Sequence, residues 1–286
     1  METKDWFTKP CVMGIDEAGR GPVLGPMVYA CACCPLSTSL QLVSRSFADS
    51  KTLTEAKREQ LFEEIQADEQ MASATDSLSA ATISAQMLRR HKISLNALAS
   101  DSTHRLIDAA LAAKMNLHEI YIDTVGDAER YETRLGHRYP TIKFTVRPKA
   151  DALFPIVSAA SIVAKVTRDH LLRDFEVQES VDVSRQFGSG YPADPDTKTW
   201  LDQHIDPVFG YPGIVRFSWQ TCESLLNQRG VPITWECPED EGQQTLQQWG
   251  RSSSSSSQLA SSSYQAAPKR HSFFRARKLA RPICSF

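Results

Sequence analysis

An α/β fold is expected from this chain on three observations. Up to about Pro238, apolar strand-like stretches alternate with stretches of helical spacing. Two of the strand-like stretches, VMGID and IYID, end on an aspartate followed by a turn, which is where α/β proteins display ligands. Past Pro238 the pattern stops, and the serine-rich RSSSSSSQLASSS leads into a basic tail. The expected layout is a body, residues 1–238, followed by a linker and tail, residues 239–286, that is flexible or docks a partner.

The elements follow in order. CVMGID reads as a strand ending at Asp16, and PMVYACACCPL as a second strand after a glycine-rich turn. TEAKREQLFEEIQ reads as a charged amphipathic helix opened by Thr54. SATDSLSAATISA, rich in small and β-branched residues, reads as a third strand. LNALASDSTHRLIDAALAAK places Leu95, Leu98, Leu106, Ala109 and Ala110 at helical spacing, and HEIYIDTVGD returns to a strand that ends near Asp123. TIKFTVRPKAD supplies a further strand, and ALFPIVSAASIVAKVTRDHLL a long helix. No internal repeat is visible.

Composition bounds the function. With 286 residues, 41% hydrophobic content and a mean hydropathy of -0.34, the chain has the make-up of a soluble protein, and no apolar run approaches the twenty or so residues of a membrane span. METKDWFTKP lacks the apolar core of a secretory signal, so an intracellular protein with reduced thiols is expected. Three of the seven cysteines, Cys31, Cys33 and Cys34, fall in the second strand, where Cys31 and Cys33 share one face and Cys34 takes the other. The remaining four have no CxxC spacing, so small buried hydrophobes, not a zinc site, are expected.

Charge is uneven along the chain. From Gly242 onward there are seven basic residues and no acidic one, which leaves 25 basic against 34 acidic in the body. An acidic body fits metal-dependent chemistry better than avid bulk binding of nucleic acid. In the tail, Phe273 and Phe274 stand among arginines, as in a docking segment.

Four carboxylates stand out by position. Asp16 and Asp123 close apolar strands, Glu17 adjoins the first, and Asp151 sits where the basic turn RPKAD gives way to a helix whose dipole would favour its ionised form. Each aspartate taken singly also fits a turn or cap. Together the four would repel one another unless hard divalent cations neutralised them, and two such ions about 3.5–4 Å apart hydrolyse phosphodiesters. No zinc-protease motif, nucleophile elbow or P-loop competes with this reading, and AGRGPVLG is not a dinucleotide fingerprint, because it lacks GxGxxG and leads into a strand.

The blocks GIDEAGRGPVLGP, DSKTLT, YIDTVGD, RPKAD, SAASIVAKVTRD and GSGYPADPDT resemble, in order and spacing, the type 2 ribonucleases H. The later HIDPVFGYPGIVRFSWQT and the long tail are similar to the catalytic subunit of the family's eukaryotic heterotrimers. The resemblance covers about Val12 to Trp219. It implies an RNase H-like fold with a mixed central β-sheet flanked by helices and a helical C-terminal extension. It also implies an endonuclease that hydrolyses the RNA strand of RNA/DNA hybrids and incises 5′ of single ribonucleotides in duplex DNA, leaving a 3′-hydroxyl and a 5′-phosphate.

Further expectations come with that resemblance. Asp16, Glu17, Asp123 and Asp151 would be the catalytic ligands of two Mg2+ or Mn2+ ions. Gly19, Arg20 and Gly21 would read the ribose 2′-hydroxyl, and glycines there would let main-chain groups approach closely. Tyr191 would stack on the deoxyribose after the ribonucleotide. Ser158, Ser161 and Lys165 share a helical face that could hold a DNA-strand phosphate or simply pack, while Lys51 and Asn96 would meet backbone or ribose. Two accessory subunits, B and C, docked through the carboxy-terminal region, a nuclear location, a part in replication and ribonucleotide repair, and no membrane are also implied. A non-catalytic hybrid-binding subunit or a tail-centred scaffold are the alternative readings, and His204 and Arg216 carry no assignment.

Overall fold

The computed structural model describes residues 3–45, 53–124, 126–176 and 183–232. Lys51 and the expected linker and tail, with Phe273 and Phe274, lie outside these residues. The chain divides into two compact units, Met1–Gly230 and Val231–Phe286, and the described strands and helices all belong to the first. No helix among the described residues is long and apolar enough to cross a membrane.

Five strands form one mixed sheet. They are β1 (Cys11–Ala18), β2 (Met27–Pro35), β3 (Ala72–Leu78), β4 (Leu117–Asp123) and β5 (Lys143–Arg147), in the order β3-β2-β1-β4-β5. β2 runs antiparallel to both β1 and β3, whereas β1, β4 and β5 are mutually parallel. The expected mixed sheet is therefore present, with β1 at its centre.

Side-chain alternation along the strands divides the core into two layers. Met13, Ile15, Tyr29, Cys31 and Cys33 face a layer closed by α2 (Ala80–Leu88), α3 (Leu95–Ala112) and α4 (Ala128–Arg138). Val12, Ala30, Ala32 and Cys34 face the opposite layer, closed by α1 (Glu55–Ala67) and α6 (Pro155–Arg173). The cysteines divide between the faces as the sequence indicates, and the five among the described residues are buried free thiols.

α6 lies very close to β1. A Cβ placed on Gly14 would stand 2.3 Å from the Ile156 carbonyl oxygen, so only glycine allows the backbones this approach. Small residues on α6, among them Ala159, Ala160 and Ala164, are fully buried and serve the same close packing.

The structure corrects two expected elements. The run read as a third strand is β3 only as far as Leu78; Ser79 then accepts a hydrogen bond from the Thr82 N–H and opens α2. The expected long helix is broken at Phe154, so α5 (Ala150–Leu153) precedes α6, which begins with Pro155 in the first turn where proline is tolerated. Thr54 caps α1 as expected, accepting from the Lys57 N–H.

The helical C-terminal extension is present as α7 (Pro195–Gln203) and α8 (Gln220–Arg229). Trp200, Leu201, Tyr211, Ile214, Val215 and Cys222 from this region bury Val23 and Leu24 of the β1–β2 connection. His204 belongs to its scaffold. The ring stacks on Trp200 at 4.3 Å between centroids, Nδ1 lies 2.8 Å from the Trp200 carbonyl, and Nε2 accepts from the Ser184 N–H.

Candidate active site

The carboxylates meet because β1 and β4 are adjacent and parallel. Ile15 pairs with Ile122, so Asp16 and Asp123, each the next residue, arrive level with one another. Alternation sends Asp16 to the α6 side with Val12, and sends Asp123 there with Tyr121, while Glu17 turns toward the α3–α4 side. Two successive acidic residues thus serve both faces of one strand end.

Each carboxylate is fixed by its surroundings. Asp16 is 4% exposed, and its Oδ1 accepts from the Glu17 N–H at 2.7 Å. Burial pushes its carboxyl up to about 7; the neighbouring Asp123 charge adds to this, while the Ser161 hydroxyl, the Glu17 N–H and the Lys165 ammonium oppose it. Asp123 Oδ1 accepts from the Ala150 N–H at 2.9 Å. That N–H is aimed by Lys149, which takes the left-handed conformation at φ 58° and starts α5. Asp151 follows one residue later, 2% exposed, and the Ser158 hydroxyl donates to its carbonyl oxygen. α5 has only four residues, which leaves little macrodipole for the effect expected at Asp151.

Asp16, Glu17 and Asp123 line one cavity of about 410 Å³ together with Gly19, Arg20, Gly21, Lys165 and Tyr191. Asp151 is not among its lining residues. Among the described residues no three His, Cys, Asp or Glu side chains converge as a ligand set for one ion. The expected four-carboxylate cluster is thus an open arrangement, not a closed cage. Such a donor set suits Mg2+ or Mn2+, hard ions that are usually held by one or two carboxylates while water and substrate phosphate complete the shell.

The glycine-rich turn beside the carboxylates is held from behind. Gly19 has φ 79°, and a Cβ there would meet Arg168 Nε at 2.4 Å and the Pro26 carbonyl oxygen at 2.5 Å. Arg216, with no solvent exposure, donates Nε to the Gly25 carbonyl at 2.8 Å, Nη1 to that of Arg20 at 3.1 Å, and Nη2 to that of Gly19 at 2.5 Å. Trp219 lies under its guanidinium at 4.8 Å and donates Nε1 to the Gly21 carbonyl at 3.1 Å. Burial, then the Arg168 charge, lowers the Arg216 pKa to about 9. A buried cation surrounded by carbonyl oxygens thus fixes the main chain of the turn.

Tyr191 stands on the other side of the turn, about half exposed, with its Cε1 3.2 Å from where a Gly21 Cβ would be. Its loop is docked to the same connection, since the Gly190 carbonyl accepts from the Val23 N–H at 2.8 Å. Asp194 caps α7 and accepts from both the N–H and the hydroxyl of Ser189, which lowers its pKa to about 2.

Comparison with known proteins agrees with this layout. The sequence model described as Ribonuclease HII matches residues 13–222. The A subunit of ribonuclease H2 from Arabidopsis thaliana is 49% identical over 269 residues, 94% of this chain and 89% of that protein. The chain belongs to the ribonuclease HII family. The ribonuclease H2 A subunit of Homo sapiens is 47% identical over 239 residues, 83% of this chain and 80% of that protein. The crystal structure of ribonuclease H2 from Pyrococcus horikoshii OT3 superposes with a TM-score of 0.62 at 32% identity, covering 76% of this chain and 98% of that one. The protein is accordingly a ribonuclease H, a phosphodiester hydrolase acting on RNA/DNA hybrids.

Other residues expected in this ribonuclease H site divide by placement. Asn96, in the first turn of α3, accepts a hydrogen bond from Arg20 Nη2 and so ties the turn to α3. Lys165 Nζ donates to Ser161 Oγ at 3.0 Å and lines the main cavity. Ser158 is placed differently from the expected phosphate contact. It is buried, and its one hydroxyl proton is already given to the Asp151 carbonyl, so it braces α5 against α6.

Three arginines of the ribonuclease H site are not singled out by the sequence pattern. Arg58, on the charged face of α1, donates to the Leu53 carbonyl at 2.9 Å, pairs with Asp169 at 3.6 Å and lines the main cavity, on a face where the sequence suggests only solvated ion pairs. Arg168 lines it as well. Arg216 is the third; an arginine flanked by Val215 and Phe217 in GIVRFSW is the available signal, a charge in an otherwise apolar run.

Proposed function

We propose that this chain is the cutting subunit of a multi-subunit ribonuclease H that also incises 5′ of a single ribonucleotide in duplex DNA, leaving a 3′-hydroxyl and a 5′-phosphate. The observation that carries the finer reading is the seating of Tyr191 against Gly21 in the cavity that Asp16, Glu17 and Asp123 also line. A ribose 2′-hydroxyl at the turn and a deoxyribose against the ring would place an RNA-to-DNA junction beside the carboxylates. Arg20, anchored by Asn96, adds a planar donor fork for phosphate at the same wall.

Asp16, Glu17, Asp123 and Asp151 would hold two divalent ions, Mg2+ or Mn2+. When bound, these supply an activated water on one side of the phosphodiester and stabilise the leaving oxygen on the other. The chain's own residues orient the reactants: Ala150 N–H aims Asp123, Ser158 braces the segment of Asp151, and Arg216 fixes the turn. Lys165 places positive charge beside Asp16.

The relatives are named as one lettered subunit of ribonuclease H2, which supports assembly with accessory subunits, here two, B and C, through the carboxy-terminal region. A nuclear location and a part in ribonucleotide removal during replication and repair belong to the same reading. The deciding experiment is cleavage of a duplex carrying one ribonucleotide, with a continuous RNA/DNA hybrid as reference, with and without copurified subunits and with product ends mapped. Cutting of the hybrid alone under all conditions would overturn the finer reading. Undiminished capture of those partners after deletion of residues 239–286 would overturn the docking role of the tail.

A further inference from the structure

Glu17 faces a second cavity, of about 390 Å³, on the α3–α4 side of β1. It shares Glu17, Arg20 and Asp123 with the main cavity, so the two adjoin across the carboxylates. Arg130 and Arg134, one turn apart on α4, line it with Arg20, and Tyr29, Tyr131 and Asn96 line it too. The Arg134 guanidinium lies over the Tyr131 ring at 5.3 Å.

The acidic residues around this cavity have other work. Asp127 caps α4, its Oδ1 accepting from the Arg130 N–H at 3.0 Å. Glu17 and Asp123 belong to the carboxylate set. Among the described residues neither Arg130 nor Arg134 forms an ion pair, although surface arginines on other helices do, as Arg105 with Asp76 and Arg138 with Asp108. Three guanidinium groups are therefore directed to one concave space with no internal carboxylate assigned to them.

We propose that this cavity is a second phosphate subsite, in which Arg130 and Arg134, with Arg20, hold a backbone phosphodiester of the nucleic acid next to the scissile one. The proposal rests on the ribonuclease reading of the main cavity. A strand whose reacting phosphate lies at Asp16 and Asp123 must continue past them, and the adjoining cavity is the concave space beyond Glu17. Guanidinium forks match phosphate oxygens in charge and geometry, and the tyrosine rings offer flat contact to sugar. Arg20, tied to Asn96, stands at the boundary and links the two subsites.

The test is a methylphosphonate scan, in which single uncharged linkages replace successive phosphates around the cut site of a hybrid. It is run on the full chain with its copurified subunits, comparing wild type with Arg130→Gln, Arg134→Gln and the double variant. Wild type is expected to lose about tenfold in affinity at one or two linkages adjacent to the scissile phosphate. The double variant is expected to bind about tenfold or more weakly, to be insensitive at those linkages, and to show a salt-dependence slope lower by about 1 for each arginine removed. Both side chains are exposed, and unchanged thermal midpoints would show that the fold is intact. Identical scans and slopes in variant and wild type would overturn this inference alone. A wild-type complex that neither binds nor cuts hybrids would overturn the underlying ribonuclease reading and this subsite with it.

Discussion

Arg216 and Gly19, 197 positions apart, are joined by a 2.5 Å hydrogen bond from a fully buried guanidinium to the carbonyl of the turn that adjoins the carboxylates. The same side chain serves Arg20 and Gly25. Replacing it with Gln leaves buried carbonyls unpaired at about 1–3 kcal/mol each, so several kcal/mol of stability should be lost. Arg216→Lys keeps the charge but not the fork and should recover only part. Thermal unfolding and kcat/KM on a hybrid check this, and wild-type values of both for Arg216→Gln would show that the turn does not depend on it.

Asp16→Asn and Asp123→Asn should each abolish most cleavage while leaving the fold in place. Asparagine keeps the shape and one oxygen but loses the charge that hard cations require. Rates in saturating Mg2+ and Mn2+ are the measurement. A near wild-type rate for either variant removes that aspartate from the metal set.

Tyr191→Ala should damage incision at a single embedded ribonucleotide more than cleavage of a continuous hybrid. The half-exposed ring contributes little to the core, and loss of an aromatic platform costs roughly 1–3 kcal/mol. The ratio of kcat/KM on the two substrates should therefore shift by about tenfold or more. An equal loss on both would make Tyr191 a general contact.

In protein stripped of metal by a chelator, Asp16 should make stability fall as pH rises from about 4 to about 7. Its carboxyl is raised in the fold, from 3.8 to about 7, so across that window the native state holds a proton that the unfolded chain has released. The stabilisation is complete below the unfolded value and is lost as pH rises through the folded one. The total is on the order of a few kcal/mol. Denaturant titrations at several pH values, compared with Asp16→Asn, check it; parallel curves would remove the effect.

Much of this architecture can be read from the chain, for identifiable reasons. VMGID and IYID announce β1 and β4 because a fully buried strand is continuously apolar and its terminal aspartate stands out. α2 is hidden because Ser79 sits inside a run of small residues equally suited to a strand, and only its side-chain bond to the Thr82 N–H decides the matter. α4 is hidden because it is polar almost throughout and buries only Leu135. The site divides in the same way. Carboxylates at strand ends are legible locally, whereas the Arg20–Asn96 and Arg216–Gly19 contacts join distant residues that no local pattern connects.

The contact between Gly14 and the Ile156 carbonyl has a consequence for breathing motions. Two backbones this close, with no side chain between them, cannot slide or separate by small steps. β1 and α6 should therefore open to solvent as one cooperative unit. Amide hydrogens of Ile15 and of α6 from Val157 to Val163 should exchange with deuterium at a common, slow rate, near that of global unfolding. The exposed loop of Tyr191 should exchange much faster. Aspartate-bearing strand and lysine-bearing helix would then keep their spacing through fluctuations that loosen the surface around them.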